Sequence, residues 1–338
     1  MTNHNNHFNI ECELCGNHDF YEYPYPMDLS PIRNKIIKDF FRRLFINPAK
    51  FITRIICSVL PKSCCKTLRT RAWSPYKKIK SPSETMRSLR KLSKGALLFE
   101  KRTIIICMQC TLGVVSPVIA EGQLVKFYEE DYWISDSGEV EPAENNRTIS
   151  TYNLLKNYIN FTELNCALEF GSASAHFARF FKSKELRLQF DIVDPGARWQ
   201  EALKGSVNMI YSNINKINKT YDIIVSSHAL EHIPNLNSYF KYFYALLNDG
   251  GYLYFEVPTS EERDVIFGDD PDYHFPHTYF FTQAAFERIA EKFSLEIIFS
   301  KTFSRSYSER KHGTKPQIFS SEENPKGAYL RILFKKKK

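Results

Sequence analysis

Three groups of residues in this 338-residue chain have the types and spacing to do chemistry. The first lies between Cys166 and Asp194. An apolar run, Cys166-Ala167-Leu168, ends in Glu169, and Gly171 opens a turn of small residues, Ser172-Ala173-Ser174-Ala175, leading into a helical segment through Phe180. A second apolar run, Phe190 to Val193, ends in Asp194, 25 residues after Glu169. Strand, tight turn, helix, strand and acid is the physical pattern of a nucleotide site. Small residues let backbone amides approach a ligand, a helix N-terminus offers partial positive charge, and a distal acid accepts hydrogen bonds from ribose hydroxyls. The second group is His228-Ala229-Leu230-Glu231-His232, together with His277 in Tyr273-His274-Phe275-Pro276-His277. Imidazoles that titrate near neutrality, beside a carboxylate, suit proton removal. The third group is two Cys-x-x-Cys pairs, Cys12/Cys15 and Cys107/Cys110. Four thiolates can close a tetrahedral set around a structural zinc and leave no open catalytic position. The pairs stand farther apart than in a compact zinc ribbon, which a long insertion between two adjacent hairpins explains. Reduced thiols with no common role, or a redox pair, are the alternative readings.

The elements that must position these groups are legible as alternating strands and helices. After Asp194 come Met209-Ile210-Tyr211 as a third strand, Tyr221 to Ser227 as a fourth, and a helix over about Leu236 to Leu247 stopped at Asp249-Gly250-Gly251. Tyr252 to Pro258 reads as a fifth strand, and Leu295 to Phe299 and Tyr329 to Phe334 as the last two. Alternation of this kind predicts an α/β, doubly wound, Rossmann-like sheet of seven strands, with ligands at the carboxyl ends of the strands.

The stretch from Glu169 to Asp194 resembles motifs I and II of the class I S-adenosylmethionine-dependent methyltransferases, and Glu231-His232-Ile233-Pro234 after the fourth strand resembles the turn common in their small-molecule branch. Ala173 and Ala175 stand where that family usually has further glycines, and alanine does not readily take a positive φ. The resemblance implies S-adenosylmethionine as cofactor, held by Glu169, Gly171, Ala173, Asp194, Ser212, Asn213 and His228. It places substrate-binding residues in the loop after the fifth strand, and His232, His277 and Glu231 are the catalytic candidates. His232 closing its own turn, and His277 as a structural residue before a helix begun by Thr282, are the plainer alternatives.

Thr111 to Pro117 and Phe127-Tyr128-Glu129-Glu130-Asp131-Tyr132-Trp133 resemble the lead-in of a methyltransferase subgroup that carries a four-cysteine zinc module and includes nucleotide-sugar C-methyltransferases. The resemblance covers residues 10–21 and about 103–300, and implies zinc on Cys12, Cys15, Cys107 and Cys110. It divides the chain into a zinc-binding module at 1–135, carrying a helical insertion at about 31–102, and a methyltransferase domain at 145–338.

In the insertion Asp39, Glu84 and Glu100 are the only acids among many bases. Ile36, Ile37, Phe40, Phe41, Leu44 and Phe45 recur at helical spacing, as do Phe51, Ile52, Ile55, Ile56, Val59 and Leu60, with Pro61 ending the second run. Two basic amphipathic helices fit a hairpin packed on the catalytic domain, a lid over its site, or an anionic membrane surface met through residues 31–62. No aromatic-basic interleaving points to nucleic acid, so none is expected as a partner, although the net charge is +8. Cys57, Cys64 and Cys65 read as plain thiols, Lys77 to Lys94 as a linker, and Lys335 to Lys338 as a solvated tail. Met1 to Asn9 lacks a signal-peptide core and no apolar run reaches membrane-spanning length. The expected protein is therefore a methyltransferase of a small metabolite, most simply a sugar nucleotide or glycan precursor, cytoplasmic and either free or peripheral at the membrane. A cofactor-binding scaffold without catalysis and a membrane-surface enzyme for a lipid-linked substrate are the rival expectations.

Overall fold

The computed structural model describes residues 11–24, 98, 102–131, 142–195, 200–261, 277–304 and 322–338. The two expected insertion helices, the linker, the first nine residues and Tyr273 to Pro276 lie outside these.

The larger sheet has seven strands: β4 (Cys166–Phe170), β5 (Gln189–Val193), β6 (Ile210–Tyr211), β7 (Tyr221–Ser227), β8 (Leu247–Pro258), β10 (Leu295–Phe303) and β11 (Tyr329–Lys336). Their spatial order is β10-β11-β8-β7-β4-β5-β6, parallel from β8 to β6, with β11 running antiparallel between β8 and β10. The order reverses between β4 and β7, which places a crevice at their carboxyl ends, where ligands of such sheets bind. Both faces of the sheet are covered, so its strands are apolar on both sides. Leu253 and Phe255 of β8 join Ile332 and Phe334 in one core cluster; Tyr254, between them, joins Leu333 and Ile223 in the other. The first cluster is closed by α5 (Leu236–Leu246) and α6 (Gln283–Lys292), through Phe240, Phe243, Phe286 and Ile289. The second is closed by α2 (Asn146–Leu155) and α3 (His176–Lys184), through Leu155, Phe177 and Phe181, with Leu203 of the short α4 (Gln200–Leu203) in the same cluster.

Local chemistry sets the helix starts. Asn145 and Thr148 form a reciprocal capping box on α2, Asn235 accepts from the Ser238 amide on α5, and Thr282 accepts from Ala285 on α6 as its sequence predicts. The end of α5 departs from expectation. It stops at Leu246, not at the glycines, and Asp249-Gly250-Gly251 lies within β8. The β7–β8 register slips between Tyr221 and Ile223, and Gly250 takes φ 78° there, so the glycines serve an irregular strand entry instead of a helix cap.

The smaller sheet is antiparallel, in the order β1 (Phe20–Pro24), β2 (Thr103–Cys107), β3 (Gly113–Ser116), β9 (Tyr279–Phe280). Its fourth strand comes from the far side of β8, so the N-terminal sheet is completed by the C-terminal half of the chain. Between β3 and α2 lie α1 (Glu121–Lys126) and a wide helical turn, Phe127–Asp131. Among the described residues no helix is long and apolar enough to cross a membrane.

Candidate functional site

The turn between β4 and α3 is built around Gly171. It takes φ 68°, and a Cβ there would stand 2.1 Å from that of Ala229, so only glycine fits where the β4 and β7 loops touch. The Gly171 amide donates to Val193 O at 2.9 Å, tying the turn to β5. Ala173 and Ala175 take φ 43° and 54°, so the alanines hold the left-handed backbone that glycines would take more cheaply. The Ala173 amide donates to Asp194 Oδ2 at 2.8 Å, bringing the acid that ends β5 against the turn. Glu169 is buried under the start of α3 and accepts from the Ala178 amide at 2.8 Å. Burial, which the amides of Ala178 and Phe177 and the charge of Arg179 offset only in part, pushes its carboxyl up to about 8. The Ser172 hydroxyl is buried in the same turn and has no hydrogen-bond partner among the described residues. Ser212 and Asn213 follow β6, next to the Tyr211 carbonyl that accepts from the Asp194 amide at 3.0 Å. Asn213 uses its side chain to cap a short turn at the Asn215 amide, and Ser212 accepts from Lys216 at 3.0 Å.

Beside this turn, past the end of β7, the histidines gather around one acid. Glu231 is 1 % exposed, with His228 Nδ1, His232 Nε2 and His277 Nε2 at 3.3, 3.8 and 4.0 Å from its Oε1. Burial opposes its charge, but His228 and His232 outweigh it and leave the carboxyl below its ordinary value. The rings of His232 and His277 meet edge to face at 4.8 Å. His277 reaches the cluster because Thr278, next to it, bonds the Glu231 carbonyl through both its amide (2.7 Å) and its hydroxyl (2.9 Å). His232 is oriented from the other side by the Tyr128 hydroxyl, 2.8 Å from Nδ1. His228, at φ 52°, stands between two buried acids, its Nε2 lying 3.3 Å from Glu256. The structure thus brings all three catalytic candidates together.

Tyr128, Thr278 and Glu256 are missing from the residues singled out by sequence. Glu256 of β8 and Arg331 of β11 are direct cross-strand partners, 0 % and 1 % exposed, bonded at 2.6 Å. Arg147 at the start of α2 adds a second guanidinium 3.3 Å from Glu256. Burial works against the Glu256 charge, but Arg331, His228 and Arg147 hold its carboxyl below the usual range. A signal existed: Glu256 and Arg331 each interrupt an otherwise apolar run, Tyr252 to Pro258 and Tyr329 to Phe334.

The four cysteines, 92 and 98 residues apart in sequence for the facing pairs, converge at the edge of the small sheet. Cys12 Sγ lies 3.5 Å from Cys110 Sγ, and Cys15 Sγ lies 3.5 Å from Cys107 Sγ. All four sulfurs fall within 4.8 Å of one another, a set that could hold a metal ion. Each pair sits on a tight turn: the Gly16 amide returns to Cys12 O and the Thr111 amide to Cys107 O, with Gly16 and Thr111 both at positive φ. The neighbouring thiols of Cys110 and Cys12 hold Cys107 below the usual thiol value, while the same contacts and burial push Cys12 and Cys110 up, so these three sulfurs share one negative charge.

Comparison with known proteins accords with this geometry. No curated protein matches the sequence. Among solved structures, the chain is similar to a possible histamine N-methyltransferase from Thermotoga maritima, with 17 % identity, TM-score 0.43, and coverage of 56 % of this chain and 90 % of that one. It is similar also to N-methyltransferase NodS from Bradyrhizobium japonicum in complex with S-adenosyl-L-homocysteine, with 14 % identity, TM-score 0.41, and coverage of 64 % and 98 %. Residues 146–299 match the family model described as a methyltransferase domain.

Proposed function

We propose that the chain is an S-adenosylmethionine-dependent methyltransferase of a small metabolite, most simply a sugar nucleotide or glycan precursor. The observation that carries this reading is the closure of the Gly171 turn onto Asp194 beside the cluster of Glu231, His232 and His277 at the sheet's reversal point. Donor and acceptor groups are thereby neighbours. The family match over residues 146–299 supports the same reaction class. The cofactor, when bound, supplies an electrophilic methyl group. Asp194 would hold its ribose, the amides and the orphaned Ser172 hydroxyl of the turn would face its polar groups, and Glu169 would keep the turn rigid from beneath. Glu231, His232 and His277 are the groups we assign to the acceptor, and His228, between Glu231 and Glu256, joins that cluster to the buried Arg331 network. Ala173 and Ala175 take the left-handed backbone that glycines would supply, which supports a bound cofactor at the turn. For the cysteines we propose a structural zinc, supported by four converging sulfurs on two tight turns. The sugar-nucleotide assignment rests on the resemblance of the zinc-bearing subgroup. The two-part division at 1–135 and 145–338 is likewise proposed, with β9 as the strand that joins the parts.

Calorimetry of S-adenosylmethionine and S-adenosylhomocysteine with the purified protein tests the reaction class. The expected result is a Kd of about 1 μM, near 8 kcal/mol of binding, weakened at least tenfold in Asp194→Ala. Failure of both ligands to bind would overturn the proposal.

A further inference from the structure

We propose that Glu231, His232 and His277 form a binding site for a divalent first-row transition-metal cation, separate from the four-cysteine set and adjoining the Gly171 turn. Three observations carry it. The ligand atoms of these side chains all fall within 4.8 Å of one another, with Glu231 Oε1 3.8 Å from His232 Nε2 and 4.0 Å from His277 Nε2. A cation with bonds of about 2.1 Å at tetrahedral angles holds its ligand atoms about 3.4 Å apart, so the two Glu231 pairs must close by roughly half an ångström. Among the described residues the Glu231 carboxyl, 1 % exposed, receives no hydrogen bond of good geometry: the nearest imidazole nitrogen, His228 Nδ1, stands 3.3 Å from Oε1. A buried carboxylate left that way is costly, and a cation is the partner that would satisfy it. The third observation is outside the ligand set: the Tyr128 hydroxyl meets His232 Nδ1 at 2.8 Å, and a ligating histidine is characteristically oriented through its other ring nitrogen in this way.

The donor set selects the ion. Two imidazoles and one carboxylate, with no sulfur, suit Mn2+, Fe2+, Co2+ or Zn2+, and three protein ligands leave positions open. Resting on the methyl-transfer reading, those open positions would take hydroxyl oxygens of the acceptor. His232 and His277 would then serve as ligands and not as proton acceptors, and the acceptor would be a hydroxylated molecule, chosen by its oxygens. The site is tied to the fold from three directions: Tyr128 from the turn after α1, Thr278 from the start of β9, and the short turn after β7 that carries Glu231 and His232.

The test is titration of the full-length protein, its cysteine site already loaded with zinc, with Mn2+ followed by electron paramagnetic resonance and with Co2+ followed by visible absorption. The absorption of cobalt on nitrogen and oxygen differs from that on thiolate, which distinguishes the two sites. One Mn2+ per chain is expected, bound at least tenfold more weakly in His277→Ala and Glu231→Gln. Tyr128→Phe, which keeps the packing, should weaken it by about 10–100-fold, while Asp194→Ala leaves it unchanged. Absence of Mn2+ and Co2+ binding outside the cysteines, or binding indifferent to both ligand substitutions in variants with wild-type circular dichroism, overturns the site. Calorimetry with S-adenosylhomocysteine on the same samples separates the two readings. Cation binding without cofactor binding keeps the site and rejects methyl transfer; cofactor binding without cation binding does the reverse.

Discussion

Glu169 and Glu256 are both buried acids at the carboxyl ends of neighbouring parts of one sheet, and they are driven in opposite directions. Glu256 faces two guanidinium groups and stays ionised. Glu169 accepts from backbone amides and has no guanidinium bonded to it among the described residues, and burial raises it from an ordinary 4.5 to about 8. The consequence for stability follows from proton uptake. Between those two values the folded chain keeps a proton on Glu169 that the unfolded chain has released, so stability falls as pH rises, by up to about 1.4 kcal/mol per pH unit from this group. Below pH 4.5 both states are protonated and the contribution is flat. Glu169→Gln, which cannot ionise, is expected to remove that slope. Chemical denaturation of the cofactor-free protein at pH 5, 6, 7 and 8 checks it: the variant should gain relative to the wild type with each step upward. A difference that stays constant across the series would show that Glu169 is ionised in the fold.

At the scale of elements, two kinds of segment behave differently. The turn after β4 and the strands flanking it are contiguous in sequence, and their chemistry is local: Gly171, the small residues and Asp194 are legible because the backbone they require is a property of a few adjacent residues. The two cysteine turns are legible for the same reason, since each pair and its following Gly16 or Thr111 make a self-contained knuckle. What no short stretch reveals is register. Whether Glu256 meets Arg331 depends on how β8 and β11 slide past one another, and the place of the glycines after α5 depends on where β8 is drawn into the sheet. The knuckles also make a prediction of their own. With zinc bound, the protein should hold one metal per chain on its sulfurs, and Cys110→Ser or strong chelation should release it and lower the thermal midpoint by roughly 5 °C. Metal analysis beside calorimetric melting reads both; a midpoint untouched by removal of the metal would deny it a structural role.

Over the whole molecule, the cluster around Glu231 is assembled from three distant stretches: Tyr128, then Glu231 and His232, then His277. The histidines and the acid are legible in sequence; that Tyr128 joins them is not. His277 arrives because β9 pairs with β3, and Tyr128 because the turn after α1 folds back over the β7 loop. The core is correspondingly shared: Cys12, Leu14, Phe20 and Leu112 belong to the same apolar cluster as Phe240, Phe255 and Phe286. Tyr279 of β9 is held by both parts, its hydroxyl donating to Glu13 at 2.8 Å and accepting from the Leu236 amide at 3.1 Å. This has a bearing on how the chain behaves when cut. A fragment beginning at residue 142 would retain all seven strands of the large sheet but would leave β9 with the backbone groups that met β3 unpaired, beside a newly bared apolar face. An open strand edge of that kind is a template for another chain. Sedimentation velocity should therefore find the fragment self-associating with rising concentration under conditions where full-length protein sediments as one species. A fragment as well behaved as the parent would show that the edge closes by itself. The small sheet that carries the cysteines is in this respect a sheath: it keeps the edge of its neighbour from finding a copy of itself.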